Sequence, residues 1–152
     1  FASAHSTGRV TLFDRRKADE SLPTSRDTSR RSVKMAALRR ESAQPLGARH
    51  TPSTLLQITD SGAAVNALSF CADGSRLAAV TADGLLGVVE MLSERLLFRL
   101  QAYYGGLLCC SWSRDGNYIL SGGQDDLVSV WSVRRRAVAA RALGHRSWVN
   151  AV

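Results

Sequence analysis

Cysteine is scarce in this sequence of 152 residues, and its placement excludes the common uses of that residue. The three cysteines are Cys71, Cys109 and Cys110, an odd number without a Cys-x-x-Cys pair. A disulfide framework uses cysteines in even sets, and a structural zinc site needs closely paired ligands, so neither is expected. This usage favours an intracellular, reducing compartment, which is the cytoplasm, the nucleus or both.

Long apolar runs are also absent, although hydrophobic residues make up 45% of the chain. No run approaches the roughly 20 residues that a membrane-spanning helix requires. No signal peptide is recognisable at the start of the chain. The sequence begins at Phe1 without an initiator Met and stops at Val152 within an apolar run, which suggests that both ends are cuts.

Acidic residues are too few to balance the basic ones, and the imbalance is local. Residues 15–53 contain ten Lys and Arg against four Asp and Glu, a net charge of +6 out of the total of +7. This segment is also rich in Ser and Thr and poor in aromatic residues, so it has little apolar surface to bury. We interpret it as a disordered basic insertion.

Three interpretations of the basic insertion stay open. It can be a solvated loop without further role, or a regulatory loop, because Ser32 and Ser42 follow paired arginines as in sites of basophilic kinases. A phosphate there adds about −1.5 to −2 charge and reverses the local field. It can also be an arm for nucleic acid, but no aromatic residue for base stacking lies between its arginines.

The rest of the chain repeats with a period of 42 residues. The shift aligns Asp83 with Asp125 and the Asp-Gly pair at 73–74 with the pair at 115–116. Gly8 and Gly84 lie 76 residues apart, which is one period plus 34 residues. Because the excess falls in the basic segment, that segment interrupts a repeat.

Each repeat reads as four short strands separated by turn residues. In the second full copy the predicted strands are 107–112, 118–121, 127–132 and 138–143. A period of about 40–45 residues with four strands per unit is typical of a propeller blade. The predicted fold is all-β, with the following division: the third strand of a blade at 1–14, the insertion at 15–53, an outer strand at 54–59, full blades at 60–101 and 102–143, and the start of another blade at 144–152.

The repeat unit resembles the WD40 repeat. Gly144-His145 matches the opening Gly-His of that family, Asp83 and Asp125 match the aspartate before the third strand, and Trp131-Ser132 is a degenerate form of the closing Trp-Asp. The family's buried hydrogen-bond network joins a His, a Ser or Thr, an Asp and a Trp. We expect it to be incomplete in both repeats because of four replacements: Ser61 and Tyr103 at the His, Gly123 at the Ser/Thr and Val89 at the Trp. A closed ring, of about seven blades by this resemblance, needs more blades than this fragment contains.

Catalysis is not predicted. His5, His50 and His145 occupy unrelated settings, and none is spaced with a cysteine or carboxylate as metal ligands are. Asp83 and Asp125 occupy equivalent places in two repeats, so they are read as turn residues and not as an acid–base pair. We expect no catalytic residue, metal, cofactor or small-molecule substrate.

The aromatic residues before the inner strands are the candidates for binding. Tyr103 and Tyr104 precede Leu107, and Trp148 precedes Val149. Large aromatic side chains on loop tips are typical interface anchors. The alternative is that these side chains fold back and cap the core of a blade.

A narrower resemblance favours the interface. The chain is similar, over residues 1–14 and 55–152, to the family of the dystrophia myotonica WD repeat-containing protein, WD repeat-containing protein twenty and fungal CreC. The motifs that carry this resemblance are Tyr-Tyr-Gly-Gly-Leu-Leu-Cys at 103–109, Gly-Gly-Gln-Asp-Asp-Leu-Val at 122–128 and Gly-His-Arg-Ser-Trp-Val at 144–149.

The resemblance implies a function in protein binding. Members of that family bind and activate ubiquitin-specific proteases through aromatic residues at positions corresponding to Tyr104, where the family usually has Phe, and Trp148. Tyr103 and Arg146 lie beside them and are expected to join the contact. The sequence therefore predicts a non-catalytic adaptor for a deubiquitinase, with a scaffold for another client or a nucleic-acid-associated protein as alternatives.

Overall fold

The computed structural model describes residues 2–13 and 54–152, which lie in one structural unit. The basic insertion at 15–53, with the predicted phosphorylation sites Ser32 and Ser42, lies outside the described residues. The strands are β1 (Ala2–Ala4), β2 (Arg9–Leu12), β3 (Thr54–Gln57), β4 (Val65–Phe70), β5 (Arg76–Thr81), β6 (Leu85–Glu90), β7 (Arg95–Gln101), β8 (Leu107–Trp112), β9 (Tyr118–Gly123), β10 (Val128–Ser132) and β11 (Ala137–Ala142).

The strands form three antiparallel sheets in which neighbours in sequence pair with each other. Blade 1 contains β1–β3, blade 2 contains β4–β7 and blade 3 contains β8–β11. This arrangement confirms the predicted all-β fragment of a propeller. The strands of blade 3 begin and end within two residues of their predicted limits.

The first turn of each full blade follows from an Asp-Gly pair. Gly74 and Gly116 have φ of +70° and +67°, in the left-handed region that glycine adopts without steric cost. Asp115 fixes its turn by accepting hydrogen bonds from the Ser113 hydroxyl at 2.5 Å and the Asn117 backbone N–H at 3.1 Å. These bonds, chiefly that from Ser113, lower the pKa of Asp115 to about 2.

Blade 2 is buried on both faces, because a core lies between it and each neighbouring blade. Along β5, Leu77 and Ala79 pack in the core shared with blade 1, whereas Ala78 and Val80 pack in the core shared with blade 3. All four residues are fully buried. The alternation follows from the two-residue side-chain period of a strand, and it explains why β5 lacks polar residues at its centre.

Polar contacts also join neighbouring blades. The Trp112 indole N–H donates to the Ser69 carbonyl oxygen at 2.9 Å, and the Asn66 amide donates to the Leu107 carbonyl oxygen at 2.7 Å. Both bonds link the inner strands β4 and β8, which pack against each other. The relative position of blades 2 and 3 is therefore fixed by directional bonds as well as by the apolar core.

Within residues 2–13 and 54–152, the structure contains no helix of the length and apolarity that crossing a membrane would need.

Candidate partner-binding face

Antiparallel connection places the loops of each blade at two opposite ends of its strands. The loops that lead into inner strands, at 102–106 and 143–148, share one end with the β9–β10 turn at 124–127. We call this end the aromatic face. The turns at 113–117 and 133–136 lie at the other end, which we call the turn face.

The aromatic residues expected to bind a partner are exposed. The exposed fractions are 77% for Tyr103, 74% for Tyr104 and 58% for Trp148. Side chains that capped a blade core would have lost most of their contact with solvent. Tyr103 is partly held in place, because the Arg141 guanidinium lies 5.3 Å from the centre of its ring.

The loops that carry Tyr104 and Trp148 flank the same dipeptide, Gly123-Gln124. On one side, the Gln124 N–H donates to the Gly106 carbonyl oxygen at 2.9 Å, and the Gly106 N–H donates to the Gln124 side-chain oxygen at 3.1 Å. On the other side, the Val149 N–H donates to the Gly123 carbonyl oxygen at 3.0 Å. Tyr104 and Trp148 therefore lie on adjacent loops of one face.

The sequence did not reveal how Trp148 is positioned. Its neighbour Val149 is only 4% exposed and packs on Gly122, where an added Cβ atom would lie 2.5 Å from a methyl group of Val149. The Cys109 thiol also donates to the Val149 carbonyl oxygen at 3.4 Å. Val149 thus anchors the loop that presents Trp148. The sequence signal for this contact was the Gly-Gly pair at the end of β9, because Gly122 leaves room for the Val149 side chain.

Trp131 lies inside blade 3, near the end of β10 that leads to the turn face. It is 1% exposed, and its indole N–H donates to the Ser121 hydroxyl at 2.8 Å. The expectation that this repeat lacks the hydroxyl partner because of Gly123 is wrong. The hydroxyl comes from Ser121, two residues earlier on β9, where the pairing with β10 places it within reach of the indole.

Asp83 has a fuller set of partners than the sequence predicted. It accepts hydrogen bonds from the hydroxyls of Thr59 and Thr81, both at 2.5 Å, and of Ser61 at 2.6 Å. Burial by itself would raise the pKa of Asp83, but the hydroxyl bonds, led by that of Ser61, outweigh it and lower the pKa. Hydroxyl groups thus take the place of the family's histidine in blade 2.

Asp125 occupies the same place in blade 3 but has fewer partners. Its carboxylate accepts one bond, from the Leu127 N–H at 3.2 Å. Tyr103, at the histidine position of this repeat, lies under Arg141. The network of blade 3 is therefore incomplete at Asp125, which accepts no bond from a side chain at the histidine position.

Asp83 and Asp125, which occupy the same place in two blades, allow a matched test of blade stability. Asp83→Ala is expected to lower the free energy of unfolding at pH 7 by on the order of 1–3 kcal/mol, because it leaves three hydroxyls without their charged acceptor. Asp125→Ala, the control, removes one acceptor and should have a clearly smaller effect. Urea denaturation of both variants beside the unmodified protein measures the difference.

The effect of Asp83 should also depend on pH. Its folded-state pKa is below the ordinary value of 3.8, so its contribution is complete above that value and is lost as the pH falls through the folded pKa. The stability difference between Asp83→Ala and the unmodified protein should therefore shrink below about pH 4. A difference that stays constant down to pH 2 would contradict this assignment.

The remaining predicted positions lie together at the surface. Gly144, His145 and Arg146 are all exposed, and Gly144 has φ of +139°. His145 therefore takes no part in a buried network here, so its structural role stays a prediction. The described part of the chain also contains no cluster of three His, Cys, Asp or Glu side chains that could hold a metal ion.

Comparison with protein families identifies the repeat. The model of the WD40 family, described as WD domain, G-beta repeat, matches residues 94–132. This span contains β7 to β10, so the sequence repeat starts with the outer strand of blade 2 and ends with Trp131-Ser132 on β10. Residues 94–132 thus match a WD40 repeat, and they lie within a β-propeller fragment.

One similar curated protein is the UBP9-binding protein bun62 of Schizosaccharomyces pombe. It is 41% identical over 88 residues, which cover 58% of this chain and 16% of that protein. The chain thus spans about a sixth of the length of that relative.

Two solved structures resemble the fold. The WD40 repeats of RRP9 match 99% of this chain and 37% of that chain with a TM-score of 0.70 at 16% identity. The structure of U3-55K matches 60% of this chain and 30% of that chain with a TM-score of 0.56 at 21% identity. At these identities the likeness shows the propeller fold alone.

Proposed function

We propose that this part of a WD40 propeller is the docking region of a non-catalytic adaptor that binds a ubiquitin-specific protease. The observation that carries the proposal is the pair of exposed rings, Tyr104 and Trp148, on two loops that flank Gly123-Gln124. Tyr103 and Arg146 border this pair. The partner contact thus has two aromatic anchors at its centre.

The identity of the partner is supported by the relative whose name describes it as a UBP9-binding protein. The resemblance to the dystrophia myotonica WD repeat-containing protein, WD repeat-containing protein twenty and fungal CreC supports the same class of client. The cysteine usage favours a reducing compartment, and we propose that this protein acts inside the cell.

The loops suit such a contact because they are already ordered. Backbone bonds hold Gly106 and Val149 on the end of β9, so little conformational entropy is lost when a partner covers the rings. Aromatic side chains supply a large apolar area in such positions, and burial of that area drives binding. The adaptor then acts allosterically, by stabilising the active arrangement of the bound protease.

The proposal is tested by binding and activation with purified full-length protein. Isothermal titration against a ubiquitin-specific protease should give saturable binding, and the adaptor should raise kcat/KM for cleavage of a fluorogenic ubiquitin substrate. The adaptor alone should cleave nothing. Partners can also be recovered by affinity purification and identified by mass spectrometry. If they include no ubiquitin-specific protease, the result would instead favour a scaffold for another client.

A further inference from the structure

The turn face of blades 2 and 3 contains two adjoining cavities. Their volumes are about 350 and 380 Å³, and both are lined by Asn117 and Arg134. Arginines from two blades surround them: Arg76 from β5 and three consecutive arginines of the β10–β11 turn. We call the two cavities together the arginine groove, defined by Arg76, Arg134, Arg135 and Arg136.

Within the described residues the positive charge of the groove is only partly offset, because its four arginines face two nearby carboxylates, Asp73 and Asp115. Among the described residues the single ion pair joins Arg99 to Asp60, outside the groove. The four groove arginines therefore form no ion pair with a described residue. Asp115 lines one of the cavities, and because hydrogen bonds from Ser113 and Asn117 lower its pKa, it is ionised and offsets part of this charge. Asp73 offsets a further part, because hydrogen bonds from Ser75 and the nearby charge of Arg76 lower its pKa and keep it ionised.

Two of the guanidinium groups are held in place by aromatic rings. Arg76 lies over the ring of Trp112 at 5.4 Å, and Arg136 lies over the ring of Phe98 at 5.3 Å. Each of these contacts fixes a long side chain that would otherwise lose rotamer freedom on binding an anion. The N–H groups at the guanidinium edge remain suited to a carboxylate.

We propose that the arginine groove binds an acidic segment of a protein, with Glu or Asp side chains that occupy the adjoining cavities. Leu97, Phe98 and Val133 add apolar walls, which fit the aliphatic part of a peptide. Nucleic acid fits less well, because Phe98 and Trp112 already carry a guanidinium on their rings and are poorly placed to stack on bases.

The groove differs from the aromatic face in location. It lies at the opposite end of the same strands, so one partner can occupy Tyr104 and Trp148 while an acidic segment occupies the groove. Both blades that build it have all four strands among the described residues. The proposal therefore does not depend on the identity of the partner at the aromatic face.

The test is fluorescence anisotropy of full-length protein with a labelled six-residue oligoglutamate at low ionic strength. Saturable binding is expected, and salt should weaken it. The double variant Arg134→Gln and Arg136→Gln should bind at least about tenfold more weakly, because two charge-assisted donors are lost. Arg9→Gln, which removes one half-buried arginine from blade 1, should leave the affinity unchanged.

Three probes decide the outcome. An oligoglutamine of the same length should not bind. The double variant removes two charges and Arg9→Gln removes one, so a loss of binding free energy in Arg9→Gln of half that in the double variant, or more, would overturn the proposal by showing a response to net charge alone. Preferential binding of inorganic phosphate or of single-stranded DNA, lost in the double variant, would also overturn it. Thermal melts confirm that each variant is folded before its affinity is compared.

Discussion

Replacement of Trp131 by alanine is expected to lower the free energy of unfolding by about 3–5 kcal/mol. Trp131 is 1% exposed and lies in the core that blades 2 and 3 share. Its removal takes a large apolar area out of this core and leaves the Ser121 hydroxyl without its indole partner. Because blades 2 and 3 share this core, the loss should weaken the packing between them as well as blade 3 itself.

Chemical denaturation measures this loss, and the chain offers a matched control. Trp148→Ala removes the same side chain from a position that is 58% exposed, so its effect on unfolding should stay within about 0.5 kcal/mol. Trp131→Phe keeps most of the buried area but drops the donor, and it should fall between these limits. Equal stability of Trp131→Ala and Trp148→Ala would refute the assignment of Trp131 to the core.

Removal of either anchor ring from the aromatic face should weaken the proposed protease complex strongly. Tyr104→Ala and Trp148→Ala are each expected to cost about 2 kcal/mol or more of binding free energy, which is roughly a 30-fold rise in Kd. Their melting temperatures should change little, because both side chains are mostly in solvent. Titration calorimetry and thermal melts on the same preparations separate the two effects.

Leu92→Ala is the control for this pair. Leu92 is 96% exposed and lies on the β6–β7 turn, at the end of the strands opposite to the aromatic face. Its removal should therefore leave binding intact. Unchanged affinity in both anchor variants would reject the binding role. A lowered melting temperature with affinity retained would favour the capping role.

Much of the fold could be predicted from residue pattern because local rules decide it. The 42-residue period, the Asp-Gly turns and the short apolar runs predicted the strands of blade 3 to within two residues. Turn chemistry and side-chain alternation act over a few residues, so a single sequence reveals them. The place of Tyr104 and Trp148 on loops likewise follows from their position before inner strands, whereas their exposure is known only from the structure.

The hydrogen-bond partners were less predictable, because they depend on strand register. Sequence alignment pointed to Gly123 as the place of the missing hydroxyl, whereas pairing of β9 with β10 brings Ser121 to Trp131. In blade 2, Asp83 collects hydroxyls from residues 2, 22 and 24 positions away. A shift of one residue turns a side chain to the other face of a sheet, and spacing alone does not specify that choice.

The sequence by itself determined the propeller architecture, the incomplete repeat motifs and the aromatic candidates for binding. Only the tertiary structure decided which distant residues meet: Tyr104 and Trp148 on either side of Gly123-Gln124, and Arg76 beside the arginines of the β10–β11 turn. The physical reason is that these groups come from different strands or blades. Their distances are set by packing of one sheet on the next through buried cores, and that packing involves residues far apart in the chain.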